Sequence, residues 1–260
     1  MDAGEHMTAQ AAREYFPRGL VQPEAGFRFS ADALLLACFA GPGAARRIVD
    51  LGTGCGVVGL ALLLRDGAGS ASVTGLDVNP EMVRAATANA ARLGLTERFS
   101  VMPGSVSEVR GSAIEGGAHD LVVCNPPYRT PGSGRRPKDA GRDAARFEAV
   151  APVSDFVRAA AYALRTKGRA CFIGLPERLA GLLADMTASG LEVKRMRFVH
   201  SRIEDAARLV LVEGVRGAKP GMTVEAPLAL YAGRGDATLL TDSAVEFCPF
   251  MACNAGPRSR

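Results

Sequence analysis

Two short stretches carry the residue types that chemistry needs: Asp50-Leu51-Gly52-Thr53-Gly54-Cys55-Gly56 and Asn125-Pro126-Pro127-Tyr128. In the first, Gly52, Gly54 and Gly56 let the backbone turn tightly and approach a ligand closely. Gly54, Gly56 and Gly59 also satisfy the G-x-G-x-x-G spacing, which alone is weak evidence and admits a dinucleotide. Asp77 ends the next apolar run and adds a carboxylate able to accept both ribose hydroxyls. That feature is shared by nicotinamide enzymes and S-adenosylmethionine enzymes. Asp50 helps to separate them. A carboxylate just before the loop repels a pyrophosphate but can hold the amino group of a methionine moiety, directly or through water. A glycine turn with no ligand leaves Asp50 and Asp77 unexplained.

The second stretch suits a planar NH2 group. An exocyclic amine on adenine, or an amide nitrogen, is a poor nucleophile because its lone pair is delocalised. The side-chain oxygen of Asn125 and the carbonyl of Pro126 can each accept a hydrogen bond from that group. The nitrogen is then held with its lone pair aimed at an electrophile. The prolines fix φ and expose the carbonyl, and Tyr128 can stack on the plane. A sulfonium loses its charge in the transition state, so no strong base is needed and placement supplies most of the acceleration. A proline turn that merely caps a strand explains Pro126-Pro127 but not their polar and aromatic flanks. The chemistry implied is methyl transfer from S-adenosylmethionine to a flat nitrogen, with no metal.

The elements that position these stretches follow from periodicity. Arg47-Ile48-Val49 leads into the first and Asp120-Leu121-Val122-Val123-Cys124 into the second. Apolar, β-branched runs ending at glycine or proline read as buried parallel strands, and ligands bind at the carboxyl ends of such strands. Ser30 reads as the cap of a helix reaching about Phe39. Further helices are expected over 56–64, 81–93 after Pro80, 154–164 and 177–189, and strands over 72–78, 99–102 and 168–174. Two last strands, 193–200 and 207–214, have no helix between them and should pair as a hairpin. The result is an α/β sandwich with a seven-stranded, mostly parallel sheet closed by a C-terminal antiparallel hairpin. Phe27 and Phe29 precede the first helix as a hydrophobic staple or as a cover for a cofactor. Residues 1–26 form a polar N-terminal segment, loosely ordered to about residue 18. Residues 27–235 form the domain, and 236–260 a weakly patterned tail.

Composition sets outer bounds. A chain of 260 residues that is 48% hydrophobic supports one large core. A net charge of +4 and a pI near 8.8 permit a nucleic-acid partner without requiring one. Cys38, Cys55, Cys124, Cys171, Cys248 and Cys253 include no C-x-x-C pair, so small buried hydrophobes in a reducing cytoplasm are expected rather than zinc or disulfides. The start carries no signal-peptide core, and no apolar run approaches the ~18 residues of a membrane span.

The glycine turn and Asn-Pro-Pro-Tyr together resemble the class I amino-group methyltransferases, which have a Rossmann-like sandwich. The likeness narrows with Phe27-Arg28-Phe29-Ser30-Ala31-Asp32-Ala33-Leu34-Leu35, Asn125-Pro126-Pro127-Tyr128-Arg129 and Ala145-Arg146-Phe147-Glu148. These resemble the bacterial family that N6-methylates the adenine 3′ of the anticodon in valine tRNA. Phe147 stands where that family usually has histidine, and Gly104-Ser105 where it has a carboxylate for the adenine ring. The resemblance implies S-adenosylmethionine as cofactor, contacted by Phe29, Asp50, Gly52, Gly54, Gly56, Asp77, Val78, Ser105 and Asn125. It implies that Asn125, Pro126, Pro127 and Tyr128 hold the target amine, and that the anticodon stem-loop is the partner.

The segment after Tyr128 fits RNA. Arg129, Arg135, Arg136, Lys138, Arg142 and Arg146 sit there against Asp139 and Asp143, in a glycine- and proline-rich stretch suited to a phosphate backbone. A second basic run, Lys194, Arg195, Arg197, His200 and Arg202, lies on the sixth strand; either run alone can equally be a solvated charged surface. Anticodon-loop bases are already unpaired, so extruding one is cheap, and Tyr128 or Phe147 can stack on it. Rival readings are a release-factor glutamine methyltransferase, a ribosomal-RNA guanine-N2 methyltransferase, a non-catalytic RNA-binding module and a dehydrogenase. The release-factor family carries a sizeable helical domain before its glycine loop, whereas 49 residues precede Asp50 here. A binding module has no use for Asp50, Asp77 and Asn125, and a dehydrogenase leaves Asn125 to Tyr128 unexplained.

Overall fold

The apolar runs become the strands of one central sheet. The protein is represented by a computed structural model that describes residues 8–23, 29–127, 151–233 and 239–254. Alternation begins after α1 (Ala9–Tyr15) and α2 (Ala31–Ala40), with β1 (Arg47–Leu51), α3 (Val57–Leu64), β2 (Ser72–Asp77), α4 (Pro80–Arg92) and β3 (Phe99–Pro103). It continues through β4 (His119–Cys124), α5 (Val153–Ala163), β5 (Leu164–Gly174), α6 (Leu179–Ala188), β6 (Leu191–His200) and β7 (Ala207–Arg216). The sheet runs β3-β2-β1-β4-β5-β7-β6. β7 is antiparallel to both β5 and β6, as expected for a hairpin with no helix between its strands. Two short additions pair with β6 and extend the expected seven strands to nine: β8 (Thr223–Val224) and β9 (Leu228–Ala229). They cover backbone that an edge strand would otherwise leave unpaired.

Val49, Leu51, Val122 and Cys124 face one side of the sheet, where they pack with α5 and α6. Ile48, Leu121 and Val123 face the other, with α2, α3 and α4. Both sides are covered, so strands bounded only by turn residues read as near-continuous apolar runs. Pro80 opens α4 as expected, and Asn79 caps it by accepting from the Glu81 N–H at 2.9 Å.

Three points go beyond what the sequence indicates. Ser30 stands at the cap position of α2 but makes no side-chain cap hydrogen bond. Burial holds that helix instead, with Leu34, Leu35 and Leu36 at most 1% exposed. Within the N-terminal segment, residues 8–23 pack on the domain: Ala12 and Phe16 are buried, and Arg13 Nε donates to the Leu93 carbonyl at 2.8 Å. The tail also joins the core. A β10–β11 ribbon (Tyr231–Ala232, Leu239–Leu240) leads to α7 (Asp242–Phe247), where Ala244 and Cys248 are fully buried. The Phe250 ring then meets Phe16 edge-on at 5.2 Å between centroids. Among the described residues, no helix is long and apolar enough to cross a membrane.

Candidate active site

Register builds the site. Leu51 at the end of β1 pairs with Leu76 of β2 and Cys124 of β4, and Leu76 pairs with Met102 of β3. The next residue on each strand therefore emerges at the same carboxyl edge: Gly52, Asp77, Asn125 and Pro103. Neighbouring strands lie about 4.8 Å apart, so Asp77 and Asn125 flank the glycine turn about 10 Å from each other. The N–H groups of Gly52 and Thr53 both donate to the Leu76 carbonyl, at 2.8 and 3.1 Å, which folds the turn across β2.

Gly52, Gly54 and Gly56 all have left-handed backbone, with φ of +70°, +56° and +87°. At Gly52 a Cβ would also lie 3.2 Å from the Phe156 ring, which seats the turn from α5. Gly59 is needed for a different reason. Its φ is ordinary, but a Cβ there would stand 2.7 Å from Phe99 and 2.8 Å from Val73. The absence of a side chain lets α3 settle onto β2 and β3, and lets the Gly59 N–H donate to Asp50 Oδ2 at 3.0 Å. Gly59→Ala gains about 1 kcal/mol of helix propensity but overpacks two core neighbours, at about 1–3 kcal/mol. A net stability loss of up to about 2 kcal/mol is expected, read from the denaturant midpoint; a raised midpoint contradicts the packing argument.

Asp50 is buried, and Oδ2 accepts from both Thr53 Oγ1 (2.8 Å) and Gly59 N (3.0 Å). Burial pushes its pKa up to about 6, against those two hydrogen bonds, and the nearby Asp77 charge adds to the rise. Asp77 is half-buried beside the turn: Oδ2 accepts from Gly54 N at 2.8 Å and Oδ1 from Asn79 N at 2.9 Å. Burial raises its pKa too, with the two backbone N–H groups opposing. Each Asp77 oxygen accepts from one backbone N–H and keeps a second lone-pair direction, which matches a pair of vicinal hydroxyls.

Val78 follows Asp77 and is 57% exposed, an apolar side chain beside a polar turn and suited to the face of an adenine. Ser105 lies two residues past Pro103, the partner of Asp77 in the sheet, and its Oγ accepts from Ser107 N at 3.2 Å. Phe29 is partly buried against the core cluster that includes Cys55 and Val57 of the turn. Asn125 and Pro127 are half-buried and Pro126 is buried. A Cβ on Gly54 would meet nothing within 4 Å, so the turn keeps an open lip there. Two carboxylates, an exposed apolar side chain and an open backbone lip fit an adenosine-bearing cofactor with an ammonium at its other end.

Tyr128, Arg129, Arg135, Arg136, Lys138, Arg142, Arg146 and Phe147 lie outside the described residues, as does Phe27. The second basic run, open between an RNA contact and a solvated charged surface, has its side chains engaged within the fold. Arg195 pairs with Glu213 (3.0 Å) and Glu225 (3.0 Å), donates to the Phe39 carbonyl and lies over the Phe39 ring. Arg197 donates to the Ala226 carbonyl and stacks on Phe247. Lys194 donates to the Lys219 carbonyl, Arg202 to that of Gly233, and His200 Nδ1 lies 2.8 Å from the Asp205 carbonyl. Glu213 explains the pattern. Burial pushes its pKa up, but Arg195 and Arg169 together hold it below the ordinary carboxylate value.

Residues 30–176 match the family described as methyltransferase small domain. A tRNA1(Val) (adenine(37)-N6)-methyltransferase from Porphyromonas gingivalis strain W83 is 30% identical over 193 residues, covering 72% of this chain and 71% of its own. A release factor glutamine methyltransferase from Agrobacterium fabrum is 40% identical over 84 residues, 32% of this chain and 26% of its own. The crystal structure of a predicted O-methyltransferase from Agrobacterium tumefaciens superposes with a TM-score of 0.65 at 22% identity, covering 84% of this chain and 96% of that one.

Proposed function

Since the chain belongs to the methyltransferase small domain family, we propose that it methylates the N6 amine of an adenine in tRNA, using S-adenosylmethionine. The target is the anticodon-loop adenine 3′ of the anticodon in valine tRNA, the position in the Porphyromonas gingivalis relative's name. The observation that carries the reading is the single row Asp77, Gly52, Asn125 at the carboxyl edge of the sheet. A reaction on tRNA puts the enzyme in the cytoplasm.

S-adenosylmethionine supplies an activated methyl on a sulfonium. Asp77 accepts the ribose hydroxyls, Val78 covers the adenine, and the glycine turn lets the chain approach the sulfur. Asp50 balances the ammonium, directly or through water. Asn125 Oδ1 and the Pro126 carbonyl accept from the substrate amine and hold its lone pair toward the methyl, with Tyr128 stacked on the base. Arg129, Arg135, Arg136, Lys138, Arg142 and Arg146 meet the RNA backbone.

Asp50 makes cofactor binding depend on pH. An ordinary carboxylate near 3.8 is ionised throughout the neutral range, but this one titrates at about 6. Its ionised form attracts the ammonium, so affinity rises as pH rises through about 6 and falls below it. One pH unit below that value about a tenth of the carboxylate is ionised, so roughly a tenfold loss of affinity is expected. Calorimetric titration with S-adenosylhomocysteine between pH 5 and 8 measures this, and Asp50→Asn should flatten the profile. Protein stability runs the other way: the raised folded pKa makes burial of Asp50 cost more as pH rises from about 4 to 6.

Labelled S-adenosylmethionine with total tRNA, release factor or ribosomal RNA, followed by nucleoside and peptide analysis, tests the substrate. N6-methyladenosine from tRNA supports the proposal. Methylglutamine from release factor supports the second reading, favoured by the 84-residue match to the Agrobacterium fabrum enzyme.

A further inference from the structure

A groove of about 980 Å³ lies beside the site and is used by none of the roles above. One wall is the 3-10 turn Val106–Gly111, the other the outward face of α5, and Ala188 and Ser189 close one side. Asp155, Arg158, Ala159 and Tyr162 line it at i, i+3, i+4 and i+7, a single helix face. Phe156, Val157, Ala160 and Ala163 hold the opposite face in the core. The eight residues from Asp155 to Tyr162 make this wall about 10 Å long.

The groove begins at the reaction edge. Asp155 adjoins Phe156, the ring that seats Gly52, and Ser107 lies two residues past Ser105. Its lining carries three guanidiniums, Arg110, Arg158 and Arg216, and one carboxylate, Asp155. Asp155 is already satisfied: Ser107 Oγ donates to it and Arg158 pairs with it. Arg110 is exposed and its guanidinium lies 4.8 Å over the Tyr162 ring. Arg216 donates to the carbonyls of Ala161 and Leu164 at the far end, which fixes its charge there.

We infer that this groove is a track for the phosphodiester backbone of the substrate tRNA, leading away from the extruded base. The inference rests on the tRNA reading above. A planar guanidinium matches two phosphate oxygens at once, and cations held by stacking or by carbonyls lose little freedom when a phosphate arrives. Phosphate contacts set register on a nucleic acid, and a target base taken into a site needs its flanking backbone held. Tyr162 adds a surface against which a ribose or base can lie.

Arg110→Gln with Arg158→Gln tests this, since both side chains are exposed and Arg216, which ties down α5, is left alone. Binding of full-length valine tRNA is titrated from 50 to 300 mM KCl, and S-adenosylhomocysteine binding is measured without RNA. The expected result is about tenfold weaker tRNA binding and a salt slope smaller by at least about 1, the share of Arg110, since Asp155 already partners Arg158, with cofactor affinity unchanged. An unchanged slope in the double variant, while the wild type still methylates tRNA, overturns the track and leaves the tRNA reading standing. Equal losses of tRNA and cofactor binding also overturn it, because the arginines would then act through the fold. Absence of tRNA methylation by the wild type removes the tRNA reading and this inference with it.

Discussion

Asn125→Ala should lower turnover about 10²- to 10³-fold while cofactor affinity changes less than tenfold, because in the proposed arrangement the lost oxygen acts mainly on the amine and the other cofactor contacts remain. The amine nitrogen conjugates with its ring and offers no free lone pair unless something draws its protons out of that arrangement. In the proposed arrangement two acceptors do so, the Asn125 side chain and the Pro126 carbonyl. Alanine leaves only the backbone one, and a single acceptor cannot fix the direction of the nitrogen. Register supports the geometry: Cys124 pairs with Leu51, so Asn125 emerges beside the glycine turn. Asn125→Asp keeps an oxygen in the same place and should retain more activity than alanine. The measurement is single-turnover methylation with saturating S-adenosylmethionine and tRNA. Alanine within tenfold of wild type would remove Asn125 from the chemistry.

The strands were readable because each apolar run meets a break. Val49-Asp50-Leu51 runs into glycine and Val123-Cys124 into Asn125-Pro126, and the sheet ends where those residues stand. Asp50 and Asp77 were readable for a related reason, since a carboxylate ending an apolar strand has few structural uses. What stayed hidden depends on partners distant in sequence. Asn89 looks like an unremarkable member of an alanine-rich helix, yet it is fully buried. It donates to the carbonyls of Val21 and Cys55 and accepts from Val21 N, tying the N-terminal segment to the glycine turn. Its one signal was a polar residue on the inner face of α4. The basic run on β6 stayed ambiguous because its sequence fits an RNA contact and a solvated charged surface equally well. The register of β7 sets Glu213 directly opposite Arg195, a cross-strand pairing that local sequence does not display.

Asp77→Ala should weaken cofactor binding about 10²-fold, the second large effect, with a diagnostic that separates ribose recognition from damage to the turn. Hydrogen bonds from ribose hydroxyls to a carboxylate contribute about 1.5–3 kcal/mol each, so losing two would give 10² to beyond 10³. The lower end is expected because Asp77 already accepts from Gly54 N and Asn79 N, and those bonds share its charge. Removing the carboxylate also releases these two N–H groups, which loosens the turn whether or not ribose is present. A 2′-deoxy analogue of S-adenosylhomocysteine resolves the two effects. Wild type should discriminate against it by about tenfold or more, and Asp77→Ala should bind both nucleosides alike. If the variant loses affinity but still discriminates against the deoxy compound, Asp77 shapes the turn and some other group reads the ribose. Asp77→Asn keeps one acceptor oxygen and should fall between the two in both affinity and discrimination.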